Sequence, residues 1–144
     1  MASSMRYGLV GMVALALLTT VHWLRDQALP PEATRDYLLG VVPNFAAAIA
    51  ITYVLLSIWS EREHKAGFAG SRRAFLICAG ISGVGLLGWE MTQMASDRLV
   101  FDPHDIGATL LGLATARVIL PAIGAGRPAK SHIPDDTPTP PQLG

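Results

Sequence analysis

The chain has few charged residues. Only 15% of its 144 residues are Asp, Glu, Lys or Arg, while 51% are hydrophobic, whereas about 25% of the residues in a soluble domain are charged. The formal net charge is zero, so there is no basic excess that would suggest a nucleic-acid partner. The charged residues form short clusters between long apolar runs, which is typical of a membrane protein.

Cysteine is almost absent. The single Cys78 excludes an intrachain disulfide and a metal site built on several cysteines. The sequence also contains no Ser-His-Asp set, zinc-binding helix or phosphate-binding loop that we can identify. We therefore name no catalytic residue, metal ligand or cofactor, and we do not favour an enzyme.

Four apolar runs are each long enough to cross a bilayer, which takes about 20 residues. They cover approximately 7–24, 37–59, 74–94 and 106–123. Short connections make neighbouring helices antiparallel, so the sequence predicts an all-α membrane protein whose residues 1–124 form an antiparallel bundle of four transmembrane helices. Residues 125–144 contain five prolines among polar residues, and we expect a disordered tail.

Basic residues near the helix ends predict the orientation, because Lys and Arg are retained on the cytoplasmic side. The N-terminus, the second connection and the tail carry seven of them: Arg6, Arg62, Lys65, Arg72, Arg73, Arg127 and Lys130. The connections at 25–36 and 95–105 carry Arg25, Arg35 and Arg98. The pattern predicts a multi-pass protein of the cytoplasmic membrane with both termini in the cytoplasm.

Small residues spaced four apart allow helices to approach closely in lipid. Such spacings are formed by Ala46 and Ala50, by Ala79 and Gly83, and by Ala108, Gly112 and Ala116. Because the third run also contains Gly80, Gly85 and Gly88, we expect helices three and four to make the closest contact.

Polar residues gather where the third run ends and the fourth begins. Glu90 and Gln93 share one face of the third helix, and a carboxylate within a membrane helix indicates a functional site by default. Asn44 lies at a similar depth on the second helix, and we expect it to hydrogen-bond Glu90. Arg98 is the nearest cation in the sequence, and we expect it to join a network with Glu90, Asp102 and Asp105.

Asp102 and Asp105 also have a purely structural interpretation. Asp102 would cap the fourth helix, Pro103 would occupy its first turn, and the charge of Asp105 would complement the helix dipole. Capping does not exclude a second role, so the sequence leaves open whether the cluster is functional or only closes the helix ends.

These residues resemble the VanZ-like family of small bacterial membrane proteins. The family pattern places Glu-x-x-Gln at the end of one helix, an Arg in a short loop, two Asp three residues apart, and then Asn and Gly. Glu90, Gln93, Arg98, Asp102, Asp105 and Gly112 match it, whereas Thr109 stands in place of the Asn. The match covers residues 88–120. The resemblance implies a cell-envelope role linked to antibiotic resistance, without implying a defined reaction.

Two functions follow as hypotheses. The first is a non-enzymatic accessory protein of the cell envelope whose outward-facing cluster of Glu90, Gln93, Arg98, Asp102, Asp105 and Asn44 binds a cell-wall fragment or a lipid headgroup. The alternative is a small proton-coupled transporter in which Glu90 carries the proton. The sequence does not indicate an oligomeric state.

Overall fold

The computed structural model describes residues 3–27, 30–66, 71–94 and 102–124, without the side chains of 63–66, 71, 94 and 124. Within these ranges the chain is helical, with α1 at Ser3–Asp26, α2 at Ala33–Ala66, α3 at Ser71–Met94 and α4 at Pro103–Gly124. Four helices are long and apolar enough to cross a membrane, over Ser3–Asp26, Ala33–Arg62, Arg72–Gln93 and Pro103–Ile123. The predicted tail at 125–144 lies outside the described residues.

The helices are longer than the apolar runs. Arg25, Arg35, Arg62 and Arg72 lie within helices rather than in the predicted connections. Hydropathy ends a run at the first charged residue, but the backbone hydrogen bonds of a helix do not depend on the polarity of its side chains. At 34 residues α2 is about 50 Å long, which exceeds the roughly 30 Å of hydrocarbon in a bilayer.

The contacts of α2 dominate the packing. Its most extensive interface is with α1, followed by those with α4 and α3, and the α3–α4 interface is small. The prediction that helices three and four make the closest contact is therefore wrong. The physical reason is that glycine permits a close approach without requiring one: a Cβ added at Gly80, Gly85 or Gly88 would meet nothing within 4 Å.

The close approaches lie elsewhere. On α1, a Cβ added at Gly11 would lie 2.9 Å from Val54 Cγ2. On α4, a Cβ added at Gly112 would lie 2.6 Å from the Phe45 carbonyl oxygen and 2.9 Å from Ala48 Cβ. The Ala108, Gly112, Ala116 ridge is buried as the sequence suggests, but its Gly112 packs against α2.

Pairs of contacts show how the helices are aligned. Ser57 donates to the Ser4 carbonyl and Gly11 lies beside Ala50, so the residue numbers of α1 and α2 run in opposite directions. A similar pairing joins α2 to α3, where Ser82 donates to the Ala48 carbonyl and Asn44 donates to Glu90. Between α2 and α4, by contrast, the residue numbers of the two helices increase in the same direction.

One half of the core is apolar and aromatic. The rings of Tyr7 and Tyr53 lie 6.2 Å apart, and those of Tyr53 and Phe75 lie 6.4 Å apart. Tyr53 is fully buried, and its hydroxyl donates to the Ala116 carbonyl at 2.8 Å. Leu56, Cys78 and Leu120 complete this region. Polar side chains are concentrated toward the opposite end of α2.

Candidate functional site

Glu90 is the centre of the polar cluster. It lies one turn before the end of α3, and only 2% of its surface is exposed. The Asn44 amide donates to Glu90 Oε1 at 3.1 Å, which is the contact that the sequence predicts. Gln93, on the same face of α3, donates to the same oxygen at 3.5 Å. A carboxylate at this depth is costly unless it is paired or hydrogen-bonded, and these amides supply part of that stabilisation.

Asn44 connects Glu90 to the start of α4. Its side chain also lies close enough to the Asp105 carboxylate to interact with it, and Glu90 and Asp105 lie within electrostatic reach of each other. One amide therefore lies close to carboxylates from two helices. Pro43, immediately before Asn44, lies inside α2, where its missing N–H leaves the Leu39 carbonyl without a helical donor.

Asp102 has the capping role that the sequence predicts. Its Oδ1 accepts the backbone N–H of His104 at 2.9 Å and the His104 ring at 2.7 Å. These two hydrogen bonds hold the pKa of the Asp102 carboxyl below its usual range. Pro103 occupies the first position of α4, where a missing N–H costs nothing. The His104 ring also packs edge-on against Tyr37, at 5.5 Å between centroids.

Arg98, the predicted cationic partner of Glu90, lies outside the described residues. Within the ranges that the structure describes, Arg35 forms an ion pair with Asp36 and the His104 ring contacts Asp102, so Glu90 and Asp105 have no ion-pair partner there. Arg25, at the end of α1, lies within electrostatic reach of Asp105. The structure thus brings together Asn44, Glu90, Gln93 and Asp105, with Asp102 at the adjacent helix end.

A cavity opens between α1 and α2 at the same end of the molecule. Its volume is about 270 Å³, and its lining consists of Leu24, Arg25, Gln27, Arg35, Asp36 and Leu39. Arg35 binds Asp36 and also donates to the Pro30 carbonyl. The surface near the carboxylates therefore carries two guanidinium groups that can attract an anionic or zwitterionic ligand.

Hydroxyl groups extend the cluster toward the middle of the helices. Thr52 and Ser82, both buried, donate to the Ala48 carbonyl at 2.7 and 3.3 Å. Thr109 is fully buried on α4, four residues after Asp105. Sequence reasoning treated Thr109 only as a departure from the VanZ-like pattern, although its spacing from Asp105 places both residues on one helix face.

Comparison with known proteins gives no match: no family model, curated protein or solved structure matches this chain. The resemblance to the VanZ-like family therefore stays a prediction.

Proposed function

We propose that the chain is an antiparallel four-helix protein of the cytoplasmic membrane with both termini in the cytoplasm, and that its outer end carries a non-enzymatic binding site for a polar ligand of the cell envelope. The alternating directions of the contact pairs support the antiparallel arrangement. The excess of Lys and Arg at the opposite end supports the orientation.

One observation carries the binding site. Glu90 is buried inside an apolar helix, accepts a hydrogen bond from Asn44, and lies within electrostatic reach of a second carboxylate, on Asp105. A structural cap needs only Asp102, so capping does not account for Glu90. Ionisable groups at this depth in membrane proteins usually serve a ligand or an ion pathway. The neighbouring cavity beside Arg25 and Arg35 has room for part of a headgroup or cell-wall fragment.

The resemblance to the VanZ-like family suggests the biological role of this site, namely resistance to glycopeptide antibiotics. Expression of the wild-type chain in a teicoplanin-sensitive bacterium should raise the minimum inhibitory concentration of teicoplanin. Glu90→Gln should abolish the increase, because it replaces the buried carboxylate by a neutral group of the same shape.

Glu61→Gln is the matched control, since Glu61 is an exposed carboxylate near the far end of α2. It should retain the full increase at equal abundance in the membrane fraction. An increase that persists in Glu90→Gln, or no increase with the wild-type chain, would contradict the proposed role.

The burial of Glu90 within a candidate span also favours a second function, proton-coupled transport. A transport pathway needs polar groups that reach both sides of the membrane. Among the described residues, however, the core beyond Thr52 consists largely of apolar and aromatic side chains such as Leu56, Phe75 and Leu120. A binding site at one end therefore explains the distribution of polar groups better than a pathway does.

A further inference from the structure

Two buried polar atoms of the described chain have no hydrogen-bond partner within it. They are Glu90 Oε2 and Thr109 Oγ1, on residues that are 2% and 0% exposed. Buried polar atoms are nearly always satisfied by protein or by a bound species. Glu90 accepts the Asn44 amide, and Thr109 lies one turn of α4 after Asp105, so both atoms belong to residues at or beside the polar cluster.

Thr109 differs from other threonines in these helices. A helical threonine can donate to the carbonyl four residues earlier, and four threonines do so: Thr19, Thr20, Thr52 and Thr92. Thr109 does not donate to the Asp105 carbonyl, although it is more deeply buried than Thr19, Thr20 or Thr92. Its hydroxyl oxygen is therefore available to another group.

The directions of α3 and α4 bring the two atoms toward each other. Glu90 is near Asp105, while Gly83 contacts Leu113, so the two helices run in opposite directions and Thr109 lies at a level between these pairs. Helical side chains lean toward the N-terminus of their own helix. Glu90 therefore leans toward the level of Gly83, and Thr109 leans toward the level of Asp105.

We propose that a small monovalent cation, Na⁺, binds between α3 and α4 and is coordinated by Glu90 Oε2, Thr109 Oγ1 and the Asp105 carboxylate. This inference rests on the proposed function for the location of the site. It deepens that function, because the cation would bind at the deepest part of the same site. Hard cations bind carboxylate and neutral oxygen ligands, and sodium sites in membrane proteins occur among packed helices.

The size and charge of the site favour Na⁺ over other cations. Glu90 and Thr109 are too deeply buried to receive an organic ammonium group in this conformation. The described residues contain no group of three or more His, Cys, Asp or Glu side chains that could hold a metal ion, which disfavours a divalent ion. Between Na⁺ and the larger K⁺, the near-complete burial of Glu90 and Thr109 favours the smaller ion.

Thermal unfolding of the purified full-length chain in detergent tests the proposal. At equal ionic strength and pH, NaCl should raise the Tm above its values in KCl and in choline chloride. The increase should grow with the logarithm of the Na⁺ concentration above the Kd and reach about 5 °C when Na⁺ is at ten times its Kd. Thr109→Val removes the hydroxyl at nearly constant shape, and Glu90→Gln removes the charge. Each should abolish the difference between the salts.

Thr115→Val is the control, because Thr115 is a half-buried threonine of the same helix, and it should retain the sodium effect. Equal Tm values in the three salts would overturn the proposal, as would a sodium effect that survives in Thr109→Val. Equal values are also expected if Arg98 occupies the site. A sodium effect without teicoplanin resistance would confirm the ion site while rejecting the proposed biological role.

Discussion

At the scale of single residues, Asn44 is the most informative side chain of the site. It is half-buried, follows a proline inside α2, donates to Glu90 on α3, and lies close to the Asp105 carboxylate on α4. The sequence predicted its contact with Glu90 because both residues lie at similar distances from the ends of their apolar runs. The sequence could not predict that Asn44 also lies close to Asp105. That proximity depends on the rotation of α4 about its own axis, which follows from how Gly112 packs against α2.

The Asn44–Glu90 contact can be measured by a double-mutant cycle. Asn44→Leu should lower the free energy of unfolding by about 1–3 kcal/mol, because it removes the shorter of the two amide hydrogen bonds to the buried Glu90 carboxylate. The loss should be smaller in a Glu90→Gln background, where no buried charge remains at residue 90. Thermal or denaturant unfolding in detergent would give a coupling energy of about 0.5–3 kcal/mol. Strictly additive losses would show that the two side chains are energetically independent.

At the scale of helices, the sequence predicted where the helices occur but not which faces meet. Hydropathy identifies a run that can cross a bilayer, and all four runs lie within helices. The faces depend on side-chain contacts that hydropathy does not include. Gly8 and Gly11 pack α1 against Ser57 and Val54 of α2, whereas nothing lies within 4 Å of a Cβ added at Gly80, Gly85 or Gly88 of α3.

Gly112 and Gly107 provide a matched pair on α4. Gly112→Ala should destabilise the protein by about 1–3 kcal/mol, because its Cβ would overlap the Phe45 carbonyl oxygen and Ala48 Cβ. Gly107→Ala should be neutral or slightly stabilising, since nothing lies within 4 Å of a Cβ there and Ala favours a helix over Gly. The Tm of each variant in detergent checks the prediction. Equal Tm values for the two variants would show that α2 and α4 are not in close contact at Gly112.

At the scale of the whole molecule, polarity is distributed unequally between the two ends of the bundle. One end contains Glu90, Asp105 and Asn44 and a cavity lined by two arginines, and the other contains the Tyr7, Tyr53 and Phe75 cluster. The sequence predicted this polar end from the spacing of Glu90, Gln93, Asp102 and Asp105. The orientation of the bundle in the membrane rests on the positions of the basic residues alone.

That orientation decides whether the polar cluster faces the cell envelope, and cysteine labelling in intact cells tests it most directly. In a Cys78→Ala background, cysteines are introduced singly at two exposed residues: Gln27, which follows α1 and lines the cavity beside Arg25 and Arg35, and Glu61, near the far end of α2. Gln27→Cys should react with a membrane-impermeant thiol reagent, and Glu61→Cys should react only after the cells are opened. Labelling of Glu61→Cys but not Gln27→Cys in intact cells would place the polar cluster on the cytoplasmic side and contradict an envelope-facing site.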